Sequence, residues 1–152
     1  MNVIKEIEGA LERLTISHHN FYPLSPTSGK EVIQKIREVF VKSEAQRRWW
    51  ESFRQPHFEF KAGQRPFEMI TEIIPPHTEK VWFIAENSES PFYPVYRVCP
   101  ELIAAVIGEC FGFEYYIIEP EYRWLLCETH HNRLLGVGDL LRKHNEDRTV
   151  NG

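Results

Sequence analysis

Six consecutive residues, Cys127, Glu128, Thr129, His130, His131 and Asn132, set a thiol, a carboxylate and two imidazoles side by side. Imidazole and carboxylate together can ligate a metal. A thiol beside an imidazole can act as a nucleophile. A second HHN triplet, His18 to Asn20, lies in an unlike context and is read as chance. Spacing argues against the metal. Zinc sites use patterns such as HExxH or CxxC, and neither occurs. Neighbouring residues on a strand point to opposite faces, so His130 and His131 share an ion only where a turn bends them together. The metal-dependent alternative would use His130, His131 and Glu128 and needs a further ligand supplied by folding. Cys127 falls in an apolar run, where thiols are inert. Cys99, just ahead of Pro100 at a helix start, is the better candidate for a reactive thiol. No catalytic residue is assigned, and no cofactor is expected.

The carboxylates Glu114, Glu119, Glu121 and Glu128 gather around the same segment. Such groups serve acid–base chemistry when paired in a pocket. Without a pocket they form an acidic contact surface. In "RRWW", residues 47 to 50, basic and aromatic groups are mixed in the manner of a nucleic-acid surface, but Glu44 and Glu51 dilute the charge. One tryptophan belongs to the core, and the other is free to meet a partner. Trp49 is taken as that contact, because Trp and Arg are enriched at binding hot spots. The expected binding set is therefore Glu114, Glu119, Glu121, Glu128, His130, His131 and Trp49.

The elements that must carry these residues follow from periodicity. Ile4, Ile7, Leu11 and Leu14 make one stripe of a first helix. The Pro-rich stretch after it reads as an extended loop pinned by Phe21, Tyr22 and Leu24. A second helix starts near Ser28, with Ser28 and Glu31 as a capping box, and buries Ile33, Ile36 and Phe40. A third is expected from Ser43 to Phe53. "PHFEFKAG" is a short strand. Pro66 opens a helix that Pro75 and Pro76 stop. Strands then follow at 80–86, 94–98, 113–119, 122–128 and 133–137, broken by an apolar helix over 100–110. Taking Pro120 and Glu121 as a two-residue turn pairs Ile117 with Trp124 and Tyr115 with Leu126. CETHHN is then the tip of the next hairpin, with Glu128 opposite Arg133 if its loop has four residues.

These elements make a single α+β domain over residues 1–152, ending in a polar tail, 139–152, that should fray. The sheet is antiparallel, of about five strands mostly in the C-terminal half, and helices from the N-terminal half cover one face. The core is expected at residues such as Ile7, Leu11, Ile36, Ile70, Trp82, Ile84, Ile103, Tyr115, Ile117, Trp124 and Leu126.

Length and composition fit that frame: 152 residues, 42% hydrophobic and 13% aromatic, enough for one packed core and unlike a disordered chain. The apolar runs are too short and too broken by Glu to span a bilayer. The three cysteines are odd in number and widely spaced, which fits reduced thiols, and the first residues lack a signal-peptide pattern. A cytoplasmic location is expected. The net charge of −4 is uneven. Residues 81–132 carry eight Glu against Arg97 and Arg123, a balance of −6, while 1–80 and 133–152 each balance at +1. Such a segment repels phosphates and favours basic partners.

The block "VWFIAEN … FEYYIIEPEYRWLLCETHHNRLLGVG", with "RRWWE" upstream, resembles a small family of uncharacterised bacterial proteins whose C-terminal hairpin carries a Trp-Leu, acid-x-His-His pattern. The likeness covers residues 47 to 138. It implies a bacterial cytoplasmic protein and brings no activity with it. In size and charge the chain is also similar to immunity proteins that neutralise secreted toxins. The expectation is a non-enzymatic binding protein, an immunity-type inhibitor being one form, with an acidic surface against a basic protein partner and no nucleic acid or membrane. An oligomeric structural protein is a further alternative.

Overall fold

The computed structural model describes residues 2–42, 48–87 and 93–140. Seven strands form one antiparallel sheet in the order β1-β4-β3-β5-β6-β7-β2. They are β1 (Phe21–Pro23), β2 (His57–Phe60), β3 (Val81–Ala85), β4 (Val95–Val98), β5 (Tyr115–Ile118), β6 (Trp124–Glu128) and β7 (Leu134–Gly138). The four α-helices are α1 (Val3–Arg13), α2 (Pro26–Phe40), α3 (Ile70–Ile73) and α4 (Ile103–Gly108). The domain is α+β, with seven strands where about five were expected. The two additional ones are the edges. β1 was read as loop because it is three residues long and ends in Pro23, which only an edge strand tolerates. Among the described residues no helix is long and apolar enough to cross a membrane.

The helices cover both faces of the sheet, not one. Side chains of odd number on β3 and β5 (Val81, Phe83, Tyr115, Ile117) pack with Ile7 and Leu11 of α1, Ile70 of α3 and Ile103 and Val106 of α4. Those of even number (Ile84, Tyr116, Ile118) pack with Val32, Ile36 and Phe40 of α2 and with Trp49 and Phe53. A sheet buried on both faces is written as unbroken apolar runs rather than as alternation. "YYII" and "WLLC" are such runs, and every residue in them is buried. Of the expected core residues, Trp82 and Ile33 are only half-buried.

Local chemistry corrects several starts and turns. α2 begins two residues early, because Pro26 occupies the first helical position and the Ser25 hydroxyl accepts from the Ser28 N–H. Of the helix expected from Ser43 to Phe53, residues 43–47 lie outside the described residues. Arg48 takes a left-handed φ of 55°, and Trp49–Glu51 is one 3-10 turn. The tail beyond residue 140 also lies outside the described residues.

The β5–β6 register differs from the expected one by two in its sum: Ile117 faces Leu126 and Tyr115 faces Glu128. A two-residue hairpin turn needs positive φ at its first central position, and Pro120 is fixed at about −65°. The loop therefore lengthens to residues 120–123. The Tyr122 N–H donates to the Glu119 carbonyl at 2.8 Å, and Tyr122 itself takes the left-handed φ of 61°.

The β6–β7 loop is shorter than expected, three residues rather than four. The Asn132 N–H donates to the Thr129 carbonyl at 2.9 Å, and Asn132 supplies the left-handed residue that closes such a loop. Glu128 consequently faces Leu134, not Arg133. The expected Glu128–Arg133 pair does not form, and Arg133 instead holds Glu59 on the neighbouring edge strand at 2.6 Å.

Candidate functional site

The CETHHN hairpin tip, the end of β3 and the start of β5 meet at one end of the sheet. Because β3 and β5 are neighbours, Glu86 and Glu114 lie opposite each other, and the Glu86 N–H donates to the Glu114 carbonyl at 2.9 Å. The Glu114 side chain is buried, 3% exposed. One of its oxygens, Oε1, accepts from Trp50 Nε1 at 2.7 Å, from the His130 backbone N–H at 3.0 Å and from His130 Nδ1 at 3.0 Å. Burial pushes the Glu114 carboxyl up. The hydrogen bonds from Glu86, from His130 and from Trp50 outweigh that push and hold it below its ordinary value.

This arrangement fixes His130. Its Nδ1 is engaged by Glu114, and its side chain is otherwise 41% exposed, leaving Nε2 as the ring nitrogen open to a ligand. The His131 ring lies against it with centroids 3.9 Å apart, and Trp50 packs beside both, at 5.7 and 6.1 Å.

Glu128 points to the other face of the sheet. It too is buried, and it accepts from the Tyr115 hydroxyl at 2.7 Å. Desolvation pushes it above its ordinary value, and the Tyr115 hydrogen bond offsets only part of that. Among the described residues no Lys or Arg lies within ion-pair distance of it. Glu128 opens onto a cleft of about 420 Å³. Phe67, Ile107 and Phe113 supply apolar walls; Tyr115, Glu128, Thr129 and His130 supply the polar end. Phe111, on the loop between Cys110 and Gly112 at the rim, is 73% exposed, the most exposed large apolar side chain described.

A raised carboxyl has a defined consequence for stability. The favourable neutral form of Glu128 is present below the ordinary carboxylate pKa and is lost as pH rises through the higher folded value. Glu128→Gln removes that loss and retains an acceptor for Tyr115. The variant should match the parent in urea unfolding at pH 4 and exceed it at pH 7. A parent that gains on the variant between those pH values would contradict the burial argument.

The other expected site residues divide by location. Glu119 and Glu121 lie at the opposite end of the sheet, in the β5–β6 loop, and both pair with Arg123. Glu114 and Glu128 are interior. The expected continuous acidic surface of four Glu is therefore not formed: register sends two inward and a guanidinium neutralises much of the other two. Trp49 is not a contact residue. It is 1% exposed and stacks on Tyr116 at 4.8 Å, and Trp50 takes the half-exposed position. The metal alternative loses its geometry, since Glu128 projects from one face while Glu114, on the other, engages His130. Among the described residues no group of three or more His, Cys, Asp or Glu could hold a metal ion.

The thiols are not activated. Cys127 is fully buried and pushed well above its ordinary value. Cys99 is raised as well, first by desolvation and then by Glu101, so the short 3-10 turn at Pro100 does not lower it as a full helix would.

Glu86, Trp50, Tyr115 and Phe111 were not singled out from the sequence. Glu86 and Glu114 are joined only by the β3–β5 pairing, which nothing local announces. Tyr115 was legible: with the loop lengthened for Pro120, it falls opposite Glu128.

One family model, DUF6756, a family of unknown function, matches residues 1–148. No curated protein and no solved structure matches the chain.

Proposed function

We propose a function for a chain that belongs to the DUF6756 family: it is a binding protein that receives a cationic side chain of a basic protein partner in the cleft at the CETHHN tip. The observation that carries this reading is Glu128, a buried carboxylate that faces the cleft with no Lys or Arg within ion-pair distance among the described residues; Arg65, which also lines the cleft, pairs with Glu68 instead. An unpaired buried charge is unfavourable, and an entering guanidinium or ammonium relieves it. Phe67 and Phe113 can line its aliphatic stem, and the exposed Phe111 at the rim offers the aromatic anchor typical of protein contacts. This is narrower than an acidic surface: one carboxylate is presented in a shaped site. An immunity-type inhibitor is the form such a binder takes when its partner is an enzyme. The three free thiols suit a reducing, bacterial cytoplasmic setting.

The test uses short peptides that differ at one position: arginine, lysine or the neutral isostere norleucine. Binding is followed by calorimetry. Arginine and lysine peptides should bind, and norleucine should not. Glu128→Gln should lower the affinity for the cationic peptides at least tenfold, the size expected for a charge-assisted hydrogen bond, while its melting temperature is no lower than the parent's. Equal binding of the norleucine peptide, or full retention by Glu128→Gln, would overturn the reading.

A further inference from the structure

A second surface, away from the cleft, has the opposite character. On the α2 side of the sheet, register sets Tyr22 of β1, Arg97 of β4 and Trp82 of β3 in one row across three strands. Side chains so aligned stand about 5 Å apart. The Arg97 guanidinium lies over the Trp82 ring at 4.3 Å, and Lys80, two residues along from Trp82, sits 5.5 Å from the Tyr22 ring centre. Tyr122 joins them: it feels the Arg97 charge and meets the Trp82 indole. The patch is open because α2 packs further along the sheet, on Ile84, Val95 and Tyr116. Tyr22 is exposed, and Lys80, Trp82, Arg97 and Tyr122 are all half-exposed. Two cations and three aromatic rings thus share one surface.

The charge here is unbalanced. Among the described residues no carboxylate lies within ion-pair distance of either Arg97 or Lys80. Arg97 lies over the Trp82 ring, and Lys80 donates to the His19 carbonyl at 2.8 Å. This occurs in a chain of net charge −4, in which five other described arginines, at 13, 48, 65, 123 and 133, have a Glu partner. Arg37 and Arg54 have no such pair, but neither lies on a ring platform. Guanidinium and ammonium groups beside stacking surfaces suit a ligand with a phosphate and a flat ring.

We propose that the Tyr22–Arg97–Trp82 row, with Lys80 and Tyr122, is a binding site for a free nucleotide. Its phosphate is taken by Arg97 and Lys80, and its base stacks on the exposed Tyr22. A long nucleic acid is disfavoured by the same charges. Two cations neutralise two phosphates, while the −6 balance of residues 81–132 repels the remainder of a polyanion. The site is separate from the cleft and does not depend on the reading given for it.

Calorimetric titration with adenosine 5′-monophosphate, adenosine, ribose 5-phosphate and a ten-residue oligothymidylate tests this on the whole chain. The monophosphate should bind saturably and at least tenfold more tightly than either adenosine or ribose 5-phosphate. Arg97→Gln and Lys80→Gln should each weaken it about tenfold, and Tyr22→Leu by a similar factor, the range known for base stacking. Lys80→Gln and Tyr22→Leu alter side chains at the surface and keep the comparison valid if Arg97→Gln disturbs Trp82. Three results would overturn the proposal. They are no saturation by the monophosphate on folded protein, ribose 5-phosphate binding equally well, or the oligonucleotide binding far more tightly than the nucleotide.

Discussion

Gly138→Ala should destabilise the fold by about 3 kcal/mol or more, a large share of the roughly 5–15 kcal/mol by which domains are stable. Gly138 closes β7 with a φ of 78°. Alanine there carries the left-handed backbone cost of about 1–2 kcal/mol. The added Cβ would also fall 2.4 Å from the Arg123 carbonyl oxygen and 3.2 Å from the Trp124 Cα. Those obstacles are backbone, so relief means parting β6 from β7 at the Trp124–Gly138 pair and losing the Asp139 N–H bond to Arg123 at 3.0 Å. Gly136 makes a useful contrast. Its Cβ would meet the Phe60 ring at 2.6 Å, and a side chain on an edge strand can yield where a main chain cannot. Gly63→Ala, with nothing within 4 Å, should change stability by less than about 0.5 kcal/mol. Chemical denaturation of the three variants checks the order, and a Gly138→Ala protein as stable as Gly63→Ala would contradict it.

Glu114→Ala carries the second large effect. It removes the oxygen that receives Trp50 Nε1 and both His130 donors. Each donor stranded away from water costs about 1–3 kcal/mol, and water regains part of this for the half-exposed Trp50 and His130 rings. The expected loss is about 3 kcal/mol, or roughly 6–12 °C in melting temperature for a chain of this size. Glu114→Gln keeps an acceptor and should lose less. The pH dependence has a definite sign. Because the Glu114 carboxyl lies below its ordinary value, its contribution is present above the unfolded pKa and lost as pH falls through the folded one. The gap between parent and Glu114→Gln should therefore close on acidification; at pH 7 the parent is the more stable here, whereas at Glu128 the variant is. Thermal melts at pH 7 and pH 3 measure it. A gap that widens towards pH 3 would show that the network does not favour the ionised form.

Much of this architecture could be read from local pattern. The stripes of α1 and α2 placed Ile7, Leu11, Ile36 and Phe40 in the core, and each is fully buried. Five strands and the short one at Phe58 emerged from β-branched and aromatic runs. What escaped depended on pairings distant in sequence. β1 joins the sheet only through β4, across more than seventy residues. Glu86 meets Glu114 only because β3 and β5 are adjacent. Two misreadings were avoidable on physical grounds: Pro120 excludes a two-residue turn, and the unbroken run "YYII" announces a strand covered twice. The four carboxylates near the hairpin do not form one surface: Glu119 and Glu121 sit at the far end of the sheet, and Glu114 and Glu128 are buried. A strand surrounded by apolar residues draws its end carboxylates inward, where only a network of donors makes them tolerable.

The strand order has a consequence for how the chain assembles. Both edges of the sheet come from the first sixty residues, while β3 to β7 fill the middle from the second half. The β3–β4 and β5–β6–β7 hairpins can zip locally, but β2 must wait for β7, its partner some eighty residues later. During synthesis the early segments emerge with no sheet to join. β1 remains unpaired until β4 has emerged, and β2 until nearly all of the described chain has left the ribosome. Folding should accordingly be slow for a domain of this size, limited by closure of the two long loops. The last event is the sealing of an open edge by a segment made early.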